Sequence, residues 1–156
     1  MLLPLWKKSS PIHFFYTGSN YLSGTIPTQI SSLRSLTTLD FEDNILSGSL
    51  PTTVLALTNL QQLSAGGNEL KGSIPSGIVN LTNLKTLELD RNQIGGTVPD
   101  LASLRFLEKL DLKTNKFSGT VPVLPDSLQF CDLSTFYVVL NDVLLWFGMM
   151  KVFSRY

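Results

Sequence analysis

Residues 84–92 read Leu84-Lys85-Thr86-Leu87-Glu88-Leu89-Asp90-Arg91-Asn92, and the chain then runs on to Gly96-Thr97-Val98-Pro99. Leu87 and Leu89 are two apart. That is the period of a strand, so both point to one side while Glu88 points to the other. The same frame returns with Leu36, Leu39, Phe41 and Asn44, with Leu60, Leu63, Ala65 and Asn68, and with Leu107, Leu110, Leu112 and Asn115. With Asn20 in front, the asparagines are spaced 44−20=24, 68−44=24, 92−68=24 and 115−92=23. A fixed period in the twenties marks a solenoid in which every coil repeats one supersecondary unit. Stacked coils align equivalent strands on one face, so a broad binding surface is the first functional expectation.

The asparagine and the glycine-proline pair carry the rest of the coil. Each Asn follows a strand where the chain turns inward, and its amide can bond backbone groups of neighbouring coils that would otherwise be buried without partners. Asn20, Asn44, Asn68, Asn92 and Asn115 are therefore expected to form a ladder. After each comes a second signature, "LSGTIP" at 22–27, "LSGSLP" at 46–51, "LKGSIP" at 70–75, "IGGTVP" at 94–99 and "FSGTVP" at 117–122. Its glycine suits positive φ, the Ile, Leu or Val that follows fills the core, and the Pro stops any ladder on that side.

These two phased motifs resemble the plant-specific class of leucine-rich repeats, found in receptor-like kinases, receptor-like proteins and polygalacturonase inhibitors and in similar fungal and amoeboid proteins. The resemblance covers about residues 12–136. It implies an α/β-type, right-handed solenoid with a parallel β-sheet on the concave face and irregular or 3-10 segments on the convex face. It also implies an extracellular or cell-surface setting, a protein, peptide or cell-wall-type ligand, and a co-receptor as a further partner.

The frame gives strands at about 37–41, 61–65, 85–89, 108–112 and 129–133. Ile12, Phe15, Thr17 and Asn20 fit a worn first coil, and Leu128, Cys131 and Leu133 fit a last one with Phe136 where Asn would stand. From Pro122 to Leu128 is 6 residues where Pro51 to Leu60 is 9, a shortening suited to a capping coil. "CDLS" at 131–134 resembles the start of a C-terminal cap, in which family members pair such a Cys with another. Here Cys131 is the only cysteine. It reads as a small buried hydrophobe at a Leu position, with a reactive or intermolecular thiol as the alternative. The missing pairs point to a fragment, a truncated product or a divergent member.

Length and composition fit one elongated domain. The chain has 156 residues, 43% of them hydrophobic, and 12 basic residues balance 12 acidic ones. A net charge of zero gives no steering toward nucleic acid. Residues 1–11 hold no clear signal peptide, because the short apolar start precedes Lys7 and Lys8 instead of following a positive segment. Residues 12–136 form the repeat domain and 137–156 a hydrophobic tail. Three readings stand for 136–153: a helix or strand folded back over the last coil, a membrane anchor, or a non-native tail. Asn141 and Asp142 near its middle weigh against the anchor, with Asp costing about 2.5 to 3.5 kcal/mol at a membrane centre. Asn80-Leu81-Thr82 is a glycosylation sequon on the convex side, a pattern that also arises by chance.

The concave face reads by columns. Asp40, Ser64, Glu88, Asp111 and Asp132 make one line, with Tyr16 on the first coil; Thr38, Gln62, Thr86, Lys109 and Phe130 precede it, and Glu42, Gly66, Asp90 and Lys113 follow it. Lys85 and Arg91 flank it. The candidate ligand-binding set is accordingly Asp40, Glu42, Gln62, Ser64, Gly66, Lys85, Glu88, Asp90, Arg91, Lys109, Asp111 and Lys113. Carboxylates one strand apart are close enough for a retaining glycosidase. An open sheet, however, has no pocket to raise one carboxyl's pKa, and the lysines and arginine compensate the charge. His13 has no nucleophile beside it, and no metal-ligand, phosphate-loop or kinase motif occurs, so neither catalysis nor a cofactor is expected. A recognition module is favoured over a structural spacer because the face mixes charges. Ser64, Gly66 and Gly67 suggest a bare strip that a ligand backbone could approach, or else a loosened turn.

Overall fold

The computed structural model describes residues 11–134, together with the backbone of 136–140, 143–147 and 151–153. In chain order the strands are β1 (Phe14–Tyr16), β2 (Ser23–Thr25), β3 (Thr38–Asp40), β4 (Ile45–Ser47), β5 (Gln62–Ser64), β6 (Thr86–Glu88) and β7 (Gly95–Gly96). They continue with β8 (Lys109–Asp111), β9 (Lys116–Phe117), β10 (Phe130–Asp132), β11 (Phe136–Leu140), β12 (Val143–Phe147) and β13 (Lys151–Phe153). Strands β1, β3, β5, β6, β8 and β10 stack in that order, each parallel to the next. Their registers are in phase, with Phe15, Leu39, Leu63, Leu87, Leu110 and Cys131 in one line.

Each strand is one residue shorter at both ends than the frame suggests, because the chain bends there into the turns. Pairing nevertheless reaches past the strand proper: the Gln61 amide donates to the Thr37 carbonyl at 2.8 Å and the Lys85 amide to Gln61 at 2.7 Å. The leucines fill the interior. Leu36, Leu39, Leu60, Leu63, Leu84, Leu87, Leu107 and Leu110 are wholly excluded from solvent, and Cys131 lies in the same layer at 1% exposure. Burial first, and then the Asp132 and Asp111 carboxylates, push the Cys131 thiol pKa up to about 11, in keeping with a small buried hydrophobe at this position.

The asparagine ladder has the geometry that its burial demands. Asn68 Nδ2 donates to Phe41 O in the preceding coil at 2.9 Å and to Ala65 O and Gly66 O in its own at 3.2 and 3.1 Å. Its Oδ1 accepts the Leu46 amide of the preceding coil at 2.9 Å. Asn44, Asn92 and Asn115 repeat the arrangement, taking the amides of Leu22, Leu70 and Ile94. Each therefore satisfies buried backbone groups in two coils, and an unmade bond of this kind costs about 1–3 kcal/mol.

On the convex side, 3-10 segments occupy Thr28–Ser32, Thr52–Ala56 and Ser76–Asn80, each entered from a proline and each burying one residue, Ile30, Val54 or Ile78. A ladder on the glycine-proline side was not expected, yet one exists. β2 pairs with β4, Ser49 bridges Lys71, and β7 pairs with β9, all parallel. Proline removes a donor only at its own position. The residue after each Asn keeps its N–H, and Ile45, Glu69, Gln93 and Lys116 donate to Leu22, Leu46, Leu70 and Ile94 at 2.8–2.9 Å.

Three further strands follow β10. β11 and β12 form an antiparallel pair, and β13 lies antiparallel on β10, with Val152 opposite Cys131. No helix among the described residues is long and apolar enough to cross a membrane.

Candidate binding face

Strand alternation turns Asp40, Ser64, Glu88, Asp111 and Asp132 to the side opposite the leucines, and the pairing puts them side by side in one column. Gln62 and Lys109 stand two residues earlier in the next column, with Thr38, Thr86 and Phe130. Glu42, Gly66, Asp90, Arg91 and Lys113 follow the strands in the turns, and Lys85 precedes β6 as an exposed side chain.

Much of this column is committed internally. Asp40 and Asp132 each accept the backbone N–H two residues on, from Glu42 and Ser134, at 2.9 Å, and Asp111 accepts that of Lys113 at 3.2 Å. These are side-chain turns of the kind that Asp favours. Gln62 donates to Ser64 Oγ at 3.0 Å, Ser64 donates to Glu88 at 2.8 Å, and Lys109 closes the chain as the ion-pair partner of Glu88. Lys113 Nζ lies 3.0 Å from Asp111. Burial raises the Asp111 pKa while the Lys113 contacts pull it back. The columns thus form a tied polar surface, with no enclosed pair of carboxylates.

The bare strip does not exist. A Cβ at Gly66 would collide with Asp90 Oδ1, and one at Gly67 with Asp43 Oδ1. Arg91 spans the Gly66-Gly67 coil, with its Nε 2.8 Å from Asp90 and its Nη2 3.1 Å from Asp43. The glycines are needed because side chains from the coils on both sides fill the space above them. Gly67 also relieves strain: its column has φ of 55° at Ser19, 50° at Asp43, 64° at Gly67, 50° at Arg91 and 53° at Thr114. That is the left-handed region, which disfavours a Cβ.

Asn80 is exposed at the end of its 3-10 segment on the convex side. His13 sits at the N-terminal margin of a shallow groove of about 370 Å³, shared with Ser35, Thr37, Asn59, Gln61 and Asn83. Phe14, which the sequence did not single out, is 61% exposed, and Tyr16 is 63% exposed. The available signal was the column itself, because Phe14 stands in line with Phe130 at the other end.

A family model described as a leucine-rich repeat region matches residues 15–147. The chain belongs to this family. Comparison with curated protein sequences finds no match. Among solved structures, this leucine-rich repeat chain is similar to the ectodomain of the Arabidopsis receptor kinase HAESA in complex with an N-terminally extended IDA peptide hormone. The TM-score is 0.78 at 31% identity, over 81% of this chain and 22% of that one. The BIR3–SERK2 complex of Arabidopsis thaliana matches with a TM-score of 0.70 at 38% identity, over 75% and 64%. The ectodomain of the Arabidopsis thaliana receptor kinase GASSHO1/SCHENGEN3, in complex with CASPARIAN STRIP INTEGRITY FACTOR 2, matches with a TM-score of 0.65 at 34% identity, over 76% and 17%. The repeat is of the plant type. The chain spans about a fifth of the length of the TDR, GASSHO1/SCHENGEN3 and HAESA structures that it matches.

Proposed function

We propose that the chain is a non-catalytic recognition module that takes a protein or peptide ligand across its concave strands. The observation that carries this reading is the in-phase sheet, whose columns present side chains of both charges at strand spacing on a face that the fold leaves open. Gln62, Lys85, Arg91, Lys109 and Glu42 would supply the polar contacts, with Asp40, Ser64, Gly66, Glu88, Asp90, Asp111 and Lys113 as their supports. Related ectodomains in complex with peptide hormones support the ligand class, and those in complexes with SERK proteins support a co-receptor. An extracellular position, glycosylation at Asn80, and a role in signalling through a partner chain follow from the same reading. The division at 1–11, 12–136 and 137–156 is part of the same proposal, and of the three readings of 136–153 the pairing of β13 with β10 favours a strand folded back over the last coil ahead of a membrane anchor or a non-native tail. The share of the receptor ectodomains covered favours a second reading, in which this stretch works as part of a longer receptor-like protein.

The test uses peptides selected from a displayed random library against the chain. Thr86→Arg, which crowds the middle of the concave face, should weaken the selected peptides by about tenfold or more. Ser49→Arg on the glycine-proline side should leave them unchanged. Equal binding by the two folded variants, or failure to select any peptide, would favour a scaffold.

A further inference from the structure

At its N-terminal end the concave face presents two aromatic rings with no lysine or arginine of the described residues stacked on them. Phe14 and Tyr16 are exposed, their centroids lie 6.2 Å apart, and their planes are within 5° of parallel. Phe15 between them turns inward and meets Phe41 edge-on at 5.7 Å. Tyr16 is paired with Asp40, whose Oδ1 leans back over the first coil, 3.3 Å from where a Gly18 Cβ would stand. Glu42 follows two residues on. Neither Asp40 nor Glu42 makes an ion pair with a described residue, whereas the nearby cations are engaged: Arg91 with Asp43 and Asp90, Lys109 with Glu88, Lys113 with Asp111.

The other end of the same column shows how this chain satisfies such a juxtaposition. There Lys109 Nζ lies 5.7 Å from the ring centroid of Phe130 while it pairs with Glu88, so ring and carboxylate share one cation. Phe14 occupies Phe130's column, but its neighbour there is Thr38. Among the described residues, ring and carboxylate are present there without a cation.

We propose that Phe14, Tyr16, Asp40 and Glu42 bind an arginine side chain of an extended peptide ligand at the N-terminal end of the concave face. This inference rests on the recognition reading above and names the chemistry of one contact. A ring face attracts a cation by its quadrupole, and a guanidinium can stack on the ring while its N–H groups meet carboxylates, which an ammonium does less well. Charge complementarity points the same way. Burial first, and then the carboxylates of Glu88, Asp40, Asp90 and Asp43, hold the Glu42 pKa above its usual value, and a bound cation would relieve that crowding.

The experiment titrates the isotopically labelled full chain with a Gly/Ser peptide carrying one central arginine, followed by NMR. Its citrulline and glutamate counterparts serve as controls. Saturable shifts should centre on the amides of Phe14, Tyr16, Asp40 and Glu42, and citrulline should weaken binding by about tenfold. The double change Phe14→Ser, Tyr16→Ser should lower affinity by a similar factor, and Glu42→Gln, which keeps the fold's contacts, by about threefold. Equal binding of arginine and citrulline peptides, or no saturable shift, overturns the arginine site. Shifts centred on β6 and β8 and indifferent to the ring changes overturn it as well, while leaving recognition on the concave face standing. Shifts confined to the convex side would remove both readings.

Discussion

Asn68 and Asn20 stand at the same step of their coils and differ in everything that gives the residue its worth. Asn68 is buried, and its amide reaches carbonyls of two coils while its oxygen takes the Leu46 N–H. Asn20 is exposed, and among the described residues its side-chain amide donates only within its own coil, to Thr17 and Gly18 at 3.0 and 2.9 Å. The leucine layer changes in step: Leu63 and Leu87 are wholly buried, whereas Phe15 in the same line is half-buried. In a solenoid, stability comes from each repeat and its interfaces with its neighbours, so the same letter matters most where coils lie on both sides. The surface follows the same rule. Charges in the middle are tied to one another, and the rings and carboxylates left over are at the end.

The sharpest way to break this contrast is in the core. Leu87→Ala should cost about 2–5 kcal/mol in urea unfolding, because no neighbour can collapse into the gap. Phe15→Ala should cost clearly less; equal losses would make the first coil as integral as the fourth. Next comes the ladder. Asn68→Ala should cost about 1–3 kcal/mol by leaving buried backbone groups unpaired, and Asn20→Ala should stay within about 0.5 kcal/mol.

A smaller effect lies in the left-handed column. Gly67→Ala should destabilise by about 1 kcal/mol, more if Asp43 cannot move aside. Thr114→Gly, which relieves a β-branched residue at φ 53°, should gain less than about 1 kcal/mol. The smallest effect concerns charge. Glu42 has a raised pKa when folded, so it binds protons more readily folded than unfolded, and its ionisation costs stability as pH rises from the ordinary 4.5 through the folded value. The facing groups are Asp40, Asp43, Glu88 and Asp90, against Lys109. Glu42→Gln should therefore raise the melting temperature near neutral pH, with the gain vanishing below 4.5.

The fold was legible because it is written in repetition. The repeat centred the concave strands β3, β5, β6, β8 and β10 and marked the ladder, since a buried Asn after a strand has few other uses, but it hid β2, β4, β7 and β9 behind the prolines. The site was legible only as columns. Alternation placed Asp40, Glu88 and Asp111 on one face, but it could not tell that Asp40, Asp111 and Asp132 serve their own turns, for which an Asp two residues before the bonded amide was the available sign. The Gly66-Gly67 strip is illegible in the sequence for a different reason. Its occupants, Asp90, Arg91 and Asp43, come from the coils on either side, and the reach of a side chain across coils is absent from any one repeat.

The central claim is that each buried Asn joins its coil to the preceding one and so holds the concave sheet as one face. Amide hydrogen exchange of the Asn68→Ala variant under strongly native conditions tests it directly. The Leu46 amide, which loses its acceptor, should exchange at least about tenfold faster than in the parent chain, while the Leu70 and Ile94 amides, still held by Asn92 and Asn115, keep their protection. A Leu46 amide that loses no more protection than that of Leu70 would contradict the claim.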